Sequence, residues 1–164
     1  MEIIRAETRE QFVVIEELAR RIVPAFYVEF FEVRTAEYLV ESGHTAGALA
    51  AQAGLGARHF LIGFHGEGVG YFSLSVDGAT MLLSHFYLLP EWRGKGLGKG
   101  AMAFIEEAGR ELGVSMIELF VLRANQGAVG MYTRSGFVVA DEVMTRLGNG
   151  AVLEDFLMRK CIDR

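Results

Sequence analysis

A mixed α/β sheet is the fold class this 164-residue sequence predicts, on three observations. A block of β-type runs lies between Arg58 and Leu89, a glycine-rich run at 93–100 opens a helical pattern, and a strand, helix, strand order follows it. With 51% apolar and 23% charged residues the chain has the composition of a globular protein rather than of a disordered chain or a disulfide scaffold. A domain of about 150 residues buries roughly 70% of the surface of its unfolded chain. No repeat or linker divides the sequence, so one domain is expected over residues 1–164.

The elements follow in order. Ile3 to Ala6 reads as a first strand. Thr8 with Gln11 three positions on forms a capping-box start to an amphipathic helix through Ile22, which Pro24 is expected to end or redirect. Phe26 to Phe31 is aromatic-rich without clean periodicity. Ala36 to Val40 and Ala46 to Ala53 have helix-forming composition, interrupted by Ser42-Gly43 and Gly54. His59 to Phe64, Gly68 to Val76 and Ala79 to Leu89 read as three strands. Asp77-Gly78 between the last two is a hairpin signal, so the three are expected as antiparallel neighbours. Met102, Ile105, Ala108 and Leu112 recur at helical spacing within Ala101 to Leu112, ahead of Gly113. Ile117 to Leu122 is then a strand, Gln126 to Ser135 a helix stopped by Gly136, and Phe137 to Ala140 a further strand. Met144 to Leu147 and Val152 to Ile162 supply the last one or two.

Several function classes are disfavoured. The formal net charge is −5, with no basic stripe interleaved with aromatics, so a nucleic-acid groove is not expected and small cationic partners are favoured. No run approaches the roughly 20 apolar residues of a membrane span, and charge follows Met1 directly rather than a signal-like apolar stretch, so a cytoplasmic, membrane-free protein is the expectation. The lone Cys161 excludes an internal disulfide and reads as a structural thiol. No histidine pair has metal-ligand spacing, so no metal is implied.

Glycines at 94, 96, 98 and 100 remove alternate Cβ atoms from the run after Pro90, allowing backbone N–H groups to converge on an anion at a helix N-terminus. Arg93, Lys95 and Lys99 add cations, and together these suit a pyrophosphate. A P-loop spacing fails, because Gly98-Lys99 is followed by Gly100 and position 93 is Arg. Gly96-Leu97-Gly98-Lys99-Gly100-Ala101 fits a dinucleotide fingerprint poorly. Pro90 to Arg93 separates it from its strand, and the next strand ends on Val121-Leu122-Arg123 without the expected acid. A plain glycine-rich turn with surface lysines remains open on this run alone.

A second motif changes the weighing. Leu88-Leu89-Pro90-Glu91-Trp92-Arg93-Gly94-Lys95-Gly96-Leu97-Gly98 resembles the acetyl-CoA signature of the GNAT N-acetyltransferases. Asn125, Ala128, Tyr132 and Gly136-Phe137 match the same family's next motif. The likeness runs over roughly Arg58 to Lys160. It implies a mostly antiparallel sheet flanked by helices on both faces, and direct transfer of acetyl from acetyl-CoA to an amine in a ternary complex. By the same resemblance Arg93, Gly94, Lys95, Gly96, Leu97, Gly98 and Lys99 cap the pyrophosphate. The bulged strand ending in Leu88 and Leu89 offers main-chain groups to the pantetheine arm and thioester, and Asn125 and Tyr132 complete the site with Tyr132 as general acid. Asn125 and Tyr132 are seven residues apart, close to two helical turns, so both can face one ligand. Arg134 is read as either solvent-facing or near the adenosine phosphate.

The acceptor side is less legible. His85, on the strand leading to Leu88, is a candidate base beside the plain reading of a packed histidine, and His44, His59 and His65 are given no role. Residues 83–94 and 147–158 look like bacterial polyamine (spermidine/spermine) acetyltransferases, with Glu29, Glu32, Glu37, Glu41, Glu154 and Asp155 as candidate pocket acids. An acetyl-CoA-binding sensor without catalysis is the alternative class. A homodimer through an exposed strand edge is as open as a monomer.

Overall fold

In the computed structural model, residues 1–162 are described. A seven-stranded sheet has the order β1-β2-β3-β4-β5-β7-β6. Its strands are β1 (Glu2–Ala6), β2 (Arg58–Phe64), β3 (Glu67–Asp77), β4 (Thr80–Leu88), β5 (Met116–Leu122), β6 (Val138–Arg146) and β7 (Val152–Cys161). The helices are α1 (Arg9–Tyr27), α2 (Val33–Gly43), α3 (Ala46–Gly54), α4 (Leu97–Glu111) and α5 (Gln126–Arg134). This is the expected mixed, mostly antiparallel sheet. β4 and β5 run parallel because α4 connects them, a crossover that a tight turn cannot make.

The chain forms two compact units. The first comprises Met1–Ser75 with His85–Ala101, the second Val76–Ser84 with the chain from Met102 on. In the first, β1 and β2 pair antiparallel from Glu2↔Gly63 to Ala6↔His59, and β2 pairs antiparallel with β3. Thr8 and Gln11 make the expected reciprocal cap of α1. Phe12, Ile15, Leu18, Ala19, Ile22 and Val23 form its buried stripe, closing a core with Val40, Leu49, Tyr71 and Leu89. α1 and α3 cover the sheet face that carries His59 and Tyr71: the Phe12 ring meets His59 edge-on at 5.7 Å, and His59 Nε2 lies 3.0 Å from the Leu49 carbonyl. On the opposite face Phe60 stacks on Phe72 at 5.0 Å, and the first turn of α4 lies against Leu88.

Pro24 does not end α1. The helix runs on to Tyr27 and the Val28 N–H closes on the Pro24 carbonyl. Proline so near the helix end forfeits one backbone bond. That loss is outweighed by packing of the last turn, where the Phe26 ring meets those of Tyr27 (4.9 Å), Phe30 (5.7 Å) and Tyr87 (6.2 Å).

In the second unit, β5 pairs antiparallel with β7 from Met116↔Cys161 to Leu122↔Asp155, and β6 pairs antiparallel with β7. The two expected strands 137–140 and 144–147 are one strand, β6, with a register shift between Val139 and Asp141. The shift spoils the alternation that would have announced a continuous strand. Phe137 lies outside β6 and is buried against Tyr132. Cys161, read from sequence as a structural thiol, is free and exposed at the end of β7.

Candidate active site

The end of β4 is shaped by its pairing. Neighbouring residues of a strand direct their N–H and C=O groups to opposite edges. The Leu89 N–H donates to the Val69 carbonyl at 2.9 Å, so the main-chain groups of Leu88 point to the other edge, where the Leu88 carbonyl accepts from Arg93 Nε at 3.0 Å. The β4–β5 register stops at Leu83↔Leu119. His85 takes φ 54°, one of two non-glycine residues with positive φ among those described. It marks a bulge. Upstream of it the odd-numbered Met81 packs toward α4 beside Gly109; downstream the even-numbered Leu88 packs toward α4 beside Gly98.

Gly70 of β3 sits under this segment. A Cβ there would stand 2.4 Å from the Tyr87 carbonyl oxygen and 2.7 Å from Leu88 Cδ2, so the close approach of the two backbones requires glycine. Gly70 lies inside the expected strand Gly68 to Val76 and was given no role there.

After a 3-10 turn at Pro90–Trp92, Gly94 (φ 70°) and Gly96 (φ 83°) bend the chain into α4. Gly100 N–H donates to the Gly96 carbonyl at 3.0 Å, the first bond of the helix, which leaves the N–H groups of Leu97, Gly98 and Lys99 without helical acceptors. The four glycines thus divide. Gly94 and Gly96 make the turn, whereas Gly98 and Gly100 lie inside the helix, which starts at Leu97, four residues ahead of the expected Ala101. A helix N-terminus carries about half a unit of positive charge. Lys95 lies over the Trp92 ring at 4.7 Å, and Arg93, Lys95 and Lys99 are exposed. Donors, dipole and cations on one loop suit an anion.

Asn125 caps α5: its Oδ1 accepts from the Ala128 N–H at 3.2 Å, so its amide NH₂ is the side that can still donate outward. Tyr132 is buried in the last turns of the same helix, edge-on to Phe137 at 5.8 Å. Arg134 is exposed, its guanidinium folded beside Gly130. Leu88, Leu89 and Arg93 to Lys99 are therefore assembled within the first unit, and Asn125 and Tyr132 sit on one helix of the second.

His44 and His59, which were assigned no role from sequence, and the candidate base His85 are in the first unit. His44, the C-cap of α2, is buried with its Nδ1 2.9 Å from the Tyr71 hydroxyl, and its ring lies 4.2 Å from that of His85. Burial, then the charge of His85, hold His44 down at about 2; burial, then His59, hold His85 at about 4. Both are neutral imidazoles at pH 7. His59 is bound by Ser73 Oγ at 2.6 Å and by Leu49, a structural arrangement. Among the candidate acids Glu41 is engaged by Arg20 at 2.7 Å, Glu29, Glu32, Glu37 and Glu154 are exposed, and Asp155 is half-buried, desolvation raising it to about 6. Among the described residues no group of three or more His, Cys, Asp or Glu side chains is placed to hold a metal. Among the described residues no helix is long and apolar enough to cross a membrane.

The sequence model of the Acetyltransferase (GNAT) family matches residues 17–137, well over half of the chain. The chain belongs to the GNAT family. Among its relatives, an uncharacterized N-acetyltransferase of Lactobacillus delbrueckii subsp. lactis is 30% identical over 115 residues, 65% of this chain and 66% of that protein. Bovine (Bos taurus) thialysine N-epsilon-acetyltransferase is 35% identical over 72 residues, 43% of this chain and 42% of that protein. The matched segments thus span two thirds or less of these relatives' own length. The crystal structure of PaiA N-acetyltransferase from Thermoplasma acidophilum in complex with coenzyme A has the same fold, with TM-score 0.79, 21% identity, and coverage of 98% of this chain and 99% of that one.

Proposed function

We propose that this GNAT protein transfers an acetyl group from acetyl-CoA to a primary amine by direct attack in a ternary complex. The observation that carries this reading is the loop from Arg93 to Lys99, where two positive-φ glycines deliver three unbonded helix N–H groups, set directly after the outward main chain of Leu88. Acetyl-CoA supplies the activated thioester. The N–H groups of Leu97, Gly98 and Lys99, with the Lys95 and Lys99 ammonium groups, hold its pyrophosphate. The Leu88 N–H polarises the thioester carbonyl, because it is a fixed donor on a strand edge and needs no reorganisation as negative charge develops on oxygen. Arg93 fixes the loop to the strand through the Leu88 carbonyl. Asn125 orients the acyl carrier through its amide, and Tyr132 gives a proton to the departing thiolate. These two roles rest on the family motif and on the placement of both residues on α5.

The acceptor is read as a small polyamine. The resemblance of residues 83–94 and 147–158 to polyamine acetyltransferases and the net charge of −5 support it, as does the bovine relative, named for acetylating an ε-nitrogen. Thiol release from acetyl-CoA, measured against polyamines, amino acids, aminoglycosides and peptide N-termini, tests both levels. Release with spermidine and spermine supports the polyamine reading, and release with another amine alone removes it. Calorimetric binding of acetyl-CoA without release by any amine turns the reading to a sensor.

A further inference from the structure

The acceptor nitrogen must lose a proton as it becomes an amide, and neither the glycine loop nor Tyr132 takes it. We propose that His85 is the proton acceptor for the attacking amine, with His44 and Tyr71 as positioning residues that fix its ring; this rests on the acetyltransferase reading above.

Four observations converge on His85. Its backbone is held at φ 54°, a conformation costly for a residue with a Cβ, at the bulge three residues before Leu88. Three residues of strand span about 10 Å, which an imidazole and one bridging water together cover toward a nucleophile poised at the Leu88 N–H. The ring is clamped rather than hydrogen-bonded: it packs on His44 at 4.2 Å and lies against Gly43, and no described residue bonds its nitrogens. His44 is itself fixed by the Tyr71 hydroxyl, fully buried in the core. Around them, Tyr87 of the same strand pairs with the Tyr27 hydroxyl of α1 at 3.1 Å, His59 of β2 is bound by Ser73 and Leu49, and Glu16 of α1 is engaged by the Ala46 N–H and Arg20. No carboxylate among the described residues hydrogen-bonds His85. The imidazole therefore stays neutral at physiological pH, keeps its lone pair, and does not repel an incoming cation.

The balance is complete. The ammonium first releases one proton to solvent; the neutral amine then attacks the thioester carbon and the C–N bond forms. The proton made acidic on nitrogen passes to His85, the C–S bond breaks, and the thiolate takes a proton from Tyr132. His85 then returns its proton through solvent to the Tyr132 phenolate, so neutral amine and acetyl-CoA become amide and free thiol.

The test uses His85→Asn, since asparagine tolerates positive φ and spares the fold, and His85→Gly, which opens the ring's place. With the best amine of the panel, His85→Asn is expected to lower kcat about 10²-fold or more while calorimetric binding of acetyl-CoA is unchanged. Imidazole added to His85→Gly restores thiol release. Tyr71→Phe lowers kcat several-fold at unchanged KM for acetyl-CoA and alters the ¹⁵N tautomer signature of His44. Unaltered turnover in His85→Asn, a matching loss of acetyl-CoA binding, or no rescue by imidazole each overturns the assignment alone. Absence of thiol release by the wild-type protein overturns it together with the acetyltransferase reading.

Discussion

Replacing Gly70 by alanine tests whether the backbone of β4 at Leu88 is the working surface. The added Cβ would stand 2.4 Å from the Tyr87 carbonyl oxygen and 2.7 Å from Leu88 Cδ2. Ordinary carbon contacts fall near 3.5 Å, so roughly 1 Å of movement is needed. The leucine methyl can turn away, but the carbonyl is main chain and moves only with the strand. Overpacking of this kind costs about 1–3 kcal/mol, or roughly 2–4 °C of melting temperature per kcal/mol in a chain of this size. The functional loss is larger, because a 1 Å displacement of a positioning group costs about 10²-fold in rate. The assay is a melting curve beside kcat/KM for acetyl-CoA by thiol release. Gly68→Ala on the same strand is the control, since its Cβ would meet Leu18 and Val14 at an ordinary 3.7 Å. If Gly70→Ala and Gly68→Ala match in both readouts, the close approach has no bearing on the site and the reasoning fails.

Tyr132→Phe should lower kcat by about 10²-fold at nearly unchanged acetyl-CoA KM, and unchanged turnover would remove the general-acid role. Gly96→Ala, at φ 83° in otherwise open space, should cost about 1–2 kcal/mol by urea unfolding and weaken acetyl-CoA binding by calorimetry. Gly54→Ala, also in open space but at the end of α3, should instead stabilise by about 0.5–1 kcal/mol. Stability should fall as pH drops below 6.5. The unfolded chain then binds protons that His44 refuses down to about 2, a slope of about 1.4 kcal/mol per pH unit from this 5%-exposed group. His85 acts in the same sense down to about 4, while Asp155, raised to about 6, acts oppositely between 6 and 3.8. Urea midpoints across pH 4–7 check this, and His44→Gln should flatten the curve.

Features whose partners lie close in sequence were legible without the fold. The Thr8–Gln11 cap closes within four residues, and Asn125 to Phe137 is a single turn-helix-turn. The anion loop is likewise contiguous, so the pattern of Arg93, Gly94 and Gly96 could be read directly, although how many of its glycines belong to the helix could not. The sheet order downstream of the loop was not legible, since β7 inserts between β5 and β6 and succession along the chain does not show it.

The sequence by itself therefore determined the mixed α/β class, the glycine-rich loop ahead of α4 and the motif on α5, all of which depend on backbone conformations that neighbouring residues dictate. Only the tertiary structure decided that α1 continues past Pro24, where ring packing outweighs one lost bond, and that β6 absorbs a register shift as one strand. It alone seated His44 on Tyr71, 27 positions away, and turned His85 onto His44 through a bulge. Contacts of that range carry no local signature: the conformational cost of a strained or desolvated residue is met by groups the chain brings in from elsewhere, and no window of sequence contains both sides.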